Sequence, residues 1–174
     1  ATQSEVGLQY AAGGQLVRLV AFRTDYDNLI GGFPLQNVNN AQVKGIELSY
    51  TGTFAGTNLK ASFTYQDPEN RDTGQQLIRR AKQYGSFGAS RAFGPFSIGG
   101  EVLASGPRYD TDVFTFQRVE VAGYAVVNLF ARYNFTPELF VGLRVDNLFD
   151  KEYTLASGYN VQGTLALLSL NYVP

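Results

Sequence analysis

The side chains of this sequence best suited to chemistry are carboxylates gathered in two polar stretches: Asp67, Glu69 and Asp72 in one, Asp110 and Asp112 in the other. Oxygen ligands of this kind suit calcium, but neither stretch has the ligand spacing of an EF-hand, so solvated loop charge is their expected state. The 174 residues include no His and no Cys. The commonest general base and the usual activator of a serine nucleophile are therefore missing, as are thiolate metal ligands and disulfides. No glycine-rich phosphate loop is present. These residues describe a protein that is not an enzyme and needs no cofactor. The formal net charge of -1 gives no basic field, so nucleic acid is not an expected partner.

Five other charged residues, Glu47, Lys60, Glu101, Arg132 and Arg144, raise a question of position rather than reactivity. Each falls in a segment where apolar residues recur at every second place. In Leu59–Gln66 the odd positions are apolar and the even ones polar, and Phe96–Ser105, Val127–Asn134, Leu139–Asp146 and Ala166–Tyr172 alternate in the same way. Successive side chains of a strand point to opposite faces, so each segment has one apolar face and one polar face. No apolar run approaches the ~20 residues of a spanning helix. Val6–Tyr10 and runs beginning near Leu16, Val43 and Lys82 bring the total to about nine strands. The plentiful Phe (13), Tyr (11) and Gly (19) suit such a strand-and-turn chain.

The connections differ in kind. Ala11–Gly14, Thr53–Asn58, Phe93–Pro95 and Asn134–Glu138 are short turns. Asp25–Asn40, Asp67–Arg80, Gly106–Gly123 and Asn147–Gly163 are long polar links, and the two kinds alternate strictly along the chain. Outer-membrane barrels have this asymmetry, with short periplasmic turns and long extracellular loops. A soluble β-sandwich would explain the alternating faces but not why every long loop falls at one end. In a membrane the mid-strand charges must face an aqueous or plugged interior, because a lipid-facing charge at the bilayer midplane costs ~2–4 kcal/mol. The expected fold is all-β: an antiparallel up-and-down transmembrane β-barrel, multi-pass in a bacterial outer membrane.

With short turns on the periplasmic side, the first strand starts outside and the last ends in the periplasm. Single-chain bacterial barrels have even strand numbers, so an odd count implies further wall strands before Ala1. The alternative is a small barrel of about eight strands from Leu16 to Val173, closing on itself with a passive or structural role.

Two runs resemble a known family. Asn147-Leu148-Phe149-Asp150-Lys151-Glu152-Tyr153 is similar to the C-terminal hallmark of TonB-dependent outer-membrane receptors. Asn37-Val38-Asn39-Asn40-Ala41-Gln42-Val43-Lys44-Gly45-Ile46-Glu47 resembles a strand segment of the same family. Leu77–Lys82, Arg108–Asp110 and Ser157–Gly163 resemble runs of its vitamin B12 (cobalamin) branch. The resemblance implies that residues 1–174 are the C-terminal part of a barrel of about 22 strands, without its N-terminal plug. It implies active uptake of cobalamin or a siderophore-like metal chelate, driven through TonB, with outer-membrane lipid and the barrel-assembly machinery as further partners. Arg79 and Tyr159 match substrate-contacting positions of that branch. An Arg fork can bind amides or phosphate, and a Tyr offers a flat face with a hydroxyl. The bland roles are a lumen arginine paired with a loop carboxylate such as Asp72, and an interfacial aromatic anchor. Val113 departs from that branch, which has a tyrosine there. Family barrels also finish on an aromatic residue, whereas Tyr172 stands two places before Pro174 here.

Overall fold

The computed structural model describes residues 1–31 and 35–174, which form twelve strands and no helix. In chain order these are β1 (Thr2–Ala12), β2 (Gln15–Gly31), β3 (Gln36–Phe54), β4 (Thr57–Asn70), β5 (Gln75–Gln76), β6 (Gln83–Phe93), β7 (Phe96–Ser105), β8 (Arg108–Thr111), β9 (Arg118–Val121), β10 (Tyr124–Asn134), β11 (Leu139–Asp146) and β12 (Leu165–Tyr172). The main sheet runs β1-β2-β3-β4-β6-β7-β10-β11-β12, so nine strands form one antiparallel wall. β5 adds to β4, and β8 with β9 makes a separate hairpin. The wall is open, with β1 and β12 as its two edges. Eight strands from Leu16 onward closing on themselves is not the observed arrangement: the far edge of β2 is taken by β1, and β12 pairs with β11 alone among the described residues.

The turns at one end are as short as the sequence indicates. Gly13–Gly14 and Ala55–Gly56 are two-residue connections with positive φ at both places (55° and 74°; 48° and 78°). This mirror-image turn follows the right-handed twist of the flanking strands and favours glycine. At the other end three of the four long links turn out to contain strand. β2 and β3 continue through most of Asp25–Asn40, whose residues 32–34 lie outside the described ones. β4 runs on to Asn70, and β8–β9 occupies the middle of Gly106–Gly123. The polarity of these links reflects strands that leave the apolar belt, where alternation has nothing left to bury.

Registers bring the two faces together across all nine strands. One face has rows such as Leu8–Leu19–Leu48–Phe63, Ala61–Phe87–Val102–Val127 and Leu129–Val145–Ala166. The opposite face holds Gln9–Arg18–Ser49–Ser62, Lys60–Gly88–Glu101–Asn128 and Arg132–Gly142–Ser169. Glu47 and Arg144 stand on this polar face too, opposite Thr64 and Phe130. The phenyl ring of Phe130 lies over Gly99, where any Cβ would collide with it. The apolar face is exposed, Leu8 at 75% and Leu168 at 78%. Such a patch has no place in water and matches the lipid-facing band of a membrane barrel. Tyr10, Phe54, Phe93, Phe96, Tyr133 and Tyr172 ring its short-turn end, as an aromatic girdle does.

This assignment of faces has a direct test. Leu48→Arg should destabilise the assembled barrel by ~2–4 kcal/mol, while Ser49→Arg, one residue on but facing inward, should cost well under half of that. Urea titration of the two variants in detergent measures the difference, and equal effects would refute the assignment.

Candidate functional site

The long strands β2, β3 and β4 rise above the apolar belt and present an inner face that is itself apolar. Ala41, Val43 and Leu77 are buried there against Phe22, Tyr26, Leu29 and Val38. Leu77 belongs to the segment after β4, which therefore folds back over the inside of the wall. Backbone bonds fix it: Leu77 N–H donates to Pro68 O at 2.8 Å and Arg71 N–H to Asn40 O at 2.9 Å. Asp72 accepts from the Asn40 amide nitrogens at 3.2 and 2.8 Å, so it closes this segment and does not pair with Arg79.

Two and three residues beyond the buried Leu77 come Arg79 and Arg80, the latter reaching Tyr26 on the inner face of β2. Arg79 takes a positive φ of 57°, uncommon for any residue but glycine, and its N–H donates to Tyr109 O at 2.6 Å. The Arg80 guanidinium sits 5.8 Å above the Tyr26 ring, and that of Arg118 4.0 Å above Tyr109, with Arg118 Nη2 also donating to Gln76 O at 2.8 Å. Arginine on an aromatic face keeps its edge donors available for a ligand.

Asp110 joins these parts. It is fully buried at 0% exposure, which corrects the expectation of solvated loop charge. Its Oδ1 accepts from Arg79 Nε at 2.8 Å and from Thr111 N–H at 2.8 Å, and its Oδ2 accepts from Ser157 N–H at 2.8 Å. One carboxylate thus ties together the segment after β4, the β8–β9 hairpin and the link between β11 and β12. Burial alone would raise its pKa, but the bonds from Ser157, Arg79 and Thr111 outweigh that and hold it below the usual carboxylate range. In the sequence only the resembling run Arg108–Asp110 separates Asp110 from Asp112; in the short hairpin the side chains of Arg108 and Asp110 share one face. Arg108 is buried as well and donates to Leu155 O at 3.0 Å and Thr154 O at 2.6 Å. Asp112 instead closes the hairpin tip, accepting from the amides of Phe114 and Thr115 at 3.0 and 2.7 Å. Among the described residues no cluster of acidic side chains is arranged to hold a metal ion.

Tyr159 stands in the same loop cluster, two residues beyond Ser157, with its side chain 65% exposed. Its connection to Arg79 runs through Asp110, which both loops bind. Val113 packs beside Gly158, where a Cβ would lie 2.7 Å from a Val113 methyl. The valine at this place is therefore a prop for the loop that presents Tyr159. A cleft of about 760 Å³ separates β9 from this loop, lined by Glu120, Lys151, Tyr153, Ser157 and Asn160 among others.

The run Asn147–Tyr153 is structural. Asn147 ends β11 with a φ of 51°, is buried, and exchanges two bonds with Lys151: Lys151 N–H donates to its Oδ1 at 2.9 Å and its Nδ2 donates to Lys151 O at 3.1 Å. Its own N–H donates to Asn128 Oδ1 at 2.8 Å, and its carbonyl accepts from Thr164 Oγ1 at 2.7 Å. Asp150 Oδ1 accepts the Thr164 N–H at 3.0 Å. The motif turns the chain out of the wall and pins the start of β12 beside it.

A family model described as TonB dependent receptor-like, beta-barrel, matches residues 1–148. Among solved structures the chain is similar to the siderophore receptor PiuA from Acinetobacter baumannii, with 24% identity and a TM-score of 0.78 over 98% of this chain and 28% of that one. It is similar to the ferric-catecholate import receptor Fiu from E. coli K12, at 21% identity and a TM-score of 0.80 over 98% of this chain and 27% of the other. The copper transporter OprC aligns at 23% identity and a TM-score of 0.74, over 98% and 29%. At these identities the likeness is one of fold, and the chain spans under a third of each of these structures.

Proposed function

The chain belongs to the TonB-dependent receptor β-barrel family, a family of receptors and transporters rather than enzymes, and on that premise we propose that it supplies barrel wall and extracellular ligand-binding loops to an active outer-membrane transporter of a metal chelate. The observation that carries this reading is the loop cluster around Asp110. It holds Arg79 half exposed, with Arg80 of the same segment seated on the Tyr26 ring, while Arg118 sits on Tyr109 on the other face of the β8–β9 hairpin. Guanidinium forks held in this way suit phosphate, carboxylate or catecholate oxygens of a chelate. Tyr159 adds an exposed ring to the same cluster.

The cargo is cobalamin or a siderophore-like chelate. The runs around Arg79 and Tyr159 support cobalamin, and the arginine set suits an anionic siderophore equally well in chemical terms. The two open edges of the wall need partners, since unpaired strand groups in hydrocarbon cost several kcal/mol each. Additional wall strands of the same barrel meet that need, enclosing a lumen wide enough for a plug that TonB can act on. The polar inner face, with Arg18, Glu47, Glu101 and Arg132, is the surface such a plug would meet.

Binding of cyanocobalamin and of a ferric catecholate to the intact protein tests this. Arg79→Ala should weaken the true cargo about 10- to 60-fold, as expected for loss of a charge-assisted contact of ~1.5–2.5 kcal/mol, and Tyr159→Ala several-fold. Unchanged affinity in both variants would place the site elsewhere. Binding of neither compound would refute the assigned cargo.

A further inference from the structure

The β8–β9 hairpin continues the β7–β10 pair above the belt, since β8 follows β7 in the chain and β9 precedes β10. Its two outer edges differ. Along β8 the segment after β4 is bonded, with Arg79 N–H donating to Tyr109 O at 2.6 Å. β9 lies on the side of β11, but β11 ends at Asp146, and Asn147, at a φ of 51°, turns the chain out of the wall. Beyond it comes the irregular link to β12. Among the described residues no backbone bond or strand pairing reaches the outer edge of β9.

The register decides which main-chain groups face that edge. Asp112 N–H donates to Gln117 O at 2.9 Å at the hairpin tip, so these two form a hydrogen-bonded pair. In an antiparallel ladder such pairs alternate with non-bonded ones. Asp110–Val119 and Arg108–Val121 are therefore bonded pairs, and Thr111–Arg118 and Tyr109–Glu120 are not. The bond from Arg79 to Tyr109 O agrees, because that carbonyl points away from β9. By the same rule the N–H and C=O groups of Arg118 and Glu120 point away from β8, toward the outer edge.

The cleft of about 760 Å³ runs along this edge, with Lys151, Glu152, Tyr153 and Asn160 of the link on its far side. Its ionisable lining is mixed. Glu120 and Glu152 stand against Lys151, and Lys82 shares a neighbouring hollow with Glu120. The Arg118 guanidinium is engaged by the Tyr109 ring and by Gln76 O. No sign of charge prevails, so what the cleft offers a ligand is a row of unpaired main-chain donors and acceptors in strand geometry.

We propose that this cleft binds a short free oligopeptide in extended form, as an added strand on β9. An unpaired strand edge is a template for pairing, and its main-chain bonds give affinity for peptides of many sequences. The link decides between a free peptide and a strand of a folded protein. A strand within a folded sheet brings a neighbour about 4.8 Å further out, and the link stands in that space. A free peptide of about five residues, ~17 Å long, matches the edge from Arg118 to Ala122 and needs no such room. The inference rests on the fold of the loops and is independent of which chelate they take.

The test is hydrogen exchange of the intact protein in detergent, titrated with acetyl-Thr-Val-Thr-Val-Thr-amide. The peptide should slow exchange of the Arg118 and Glu120 amides about tenfold, as a net main-chain hydrogen bond does. The amides of Val119 and Val121, already paired with β8, should not change. The same peptide N-methylated at every residue has both edges blocked and should give no protection. Glu120→Pro removes a donor from the cleft edge and spares the bonds to β8, a placement that proline tolerates. It should weaken peptide binding about tenfold. The same five residues held in the edge strand of a folded carrier protein should not bind. Absence of protection by the free peptide, equal protection by the methylated one, or unchanged binding to Glu120→Pro would overturn the proposal. Binding of the carrier would overturn the choice of a free peptide. The methylated peptide is read on the unaltered protein, so it decides the matter even where the proline disturbs the hairpin.

Discussion

Asp110→Asn is expected to weaken chelate binding by about 30- to 150-fold while leaving the barrel assembled. The substitution keeps the shape but replaces one acceptor oxygen by a donor, which must then face Ser157 N–H or Arg79 Nε. Removing one partner of a buried ion pair costs ~3–5 kcal/mol. Arg79 is 47% exposed and recovers some solvation, so ~2–3 kcal/mol is the reasonable range. That energy falls on the arrangement of three loops, and affinity drops by the fraction of molecules that no longer hold the binding-competent form. Because the carboxyl pKa is lowered in the folded loops, its stabilising contribution is complete above the ordinary aspartate value of about 3.9 and is lost as pH falls through the lower folded value. Wild-type loop amides of Thr111 and Ser157 should therefore stay protected from hydrogen exchange at neutral pH and open under strongly acidic conditions, whereas in Asp110→Asn they should already be open at pH 7. Protected amides and unchanged affinity in the variant would show that Asp110 is not the tie between the loops.

The second large effect is expected at Asn147. Asn147→Ala removes both bonds to Lys151 and leaves the Lys151 N–H without its acceptor, at ~1–3 kcal/mol. It also places alanine at a φ of 51°, adding ~1–2 kcal/mol of left-handed strain. A total of about 2–5 kcal/mol should sharply lower the yield of SDS-resistant barrel and its urea midpoint. Asn147→Gly separates the two contributions, since glycine relieves the backbone strain but restores no hydrogen bond. A glycine variant about 1–2 kcal/mol more stable than the alanine one is the expected result, and equal stabilities would locate the whole effect in the side-chain bonds.

The wall was legible in the sequence because a strand has a strict period of two. Leu59–Gln66 and Leu139–Asp146 state their faces outright, and the charges at Glu47, Lys60, Glu101, Arg132 and Arg144 mark the face that avoids lipid. The short turns were legible for a similar reason, as Gly13–Gly14 and Ala55–Gly56 are residues or positions that a tight turn selects. Local pattern also yields nine wall strands, since each strand announces itself without reference to its neighbours.

What lies above the belt was not legible. Beyond Ile46 and Tyr65 both faces of β2, β3 and β4 meet water or other loops, so alternation fades and these strands read as polar links. The same loss of pattern hid the β8–β9 hairpin. Arg79 and Tyr159 stood out through a family resemblance, and Asp110 fell within a resembling run, but nothing marked it as the residue that connects their loops. Asp110 looks like any loop aspartate in sequence, and only the folding of three distant segments around it makes it buried and triply bonded. Period and turn chemistry are properties of neighbouring residues, and the sequence carries them directly. Burial in a loop cluster depends on contacts between segments about 30 to 50 residues apart, which only the tertiary structure brings together.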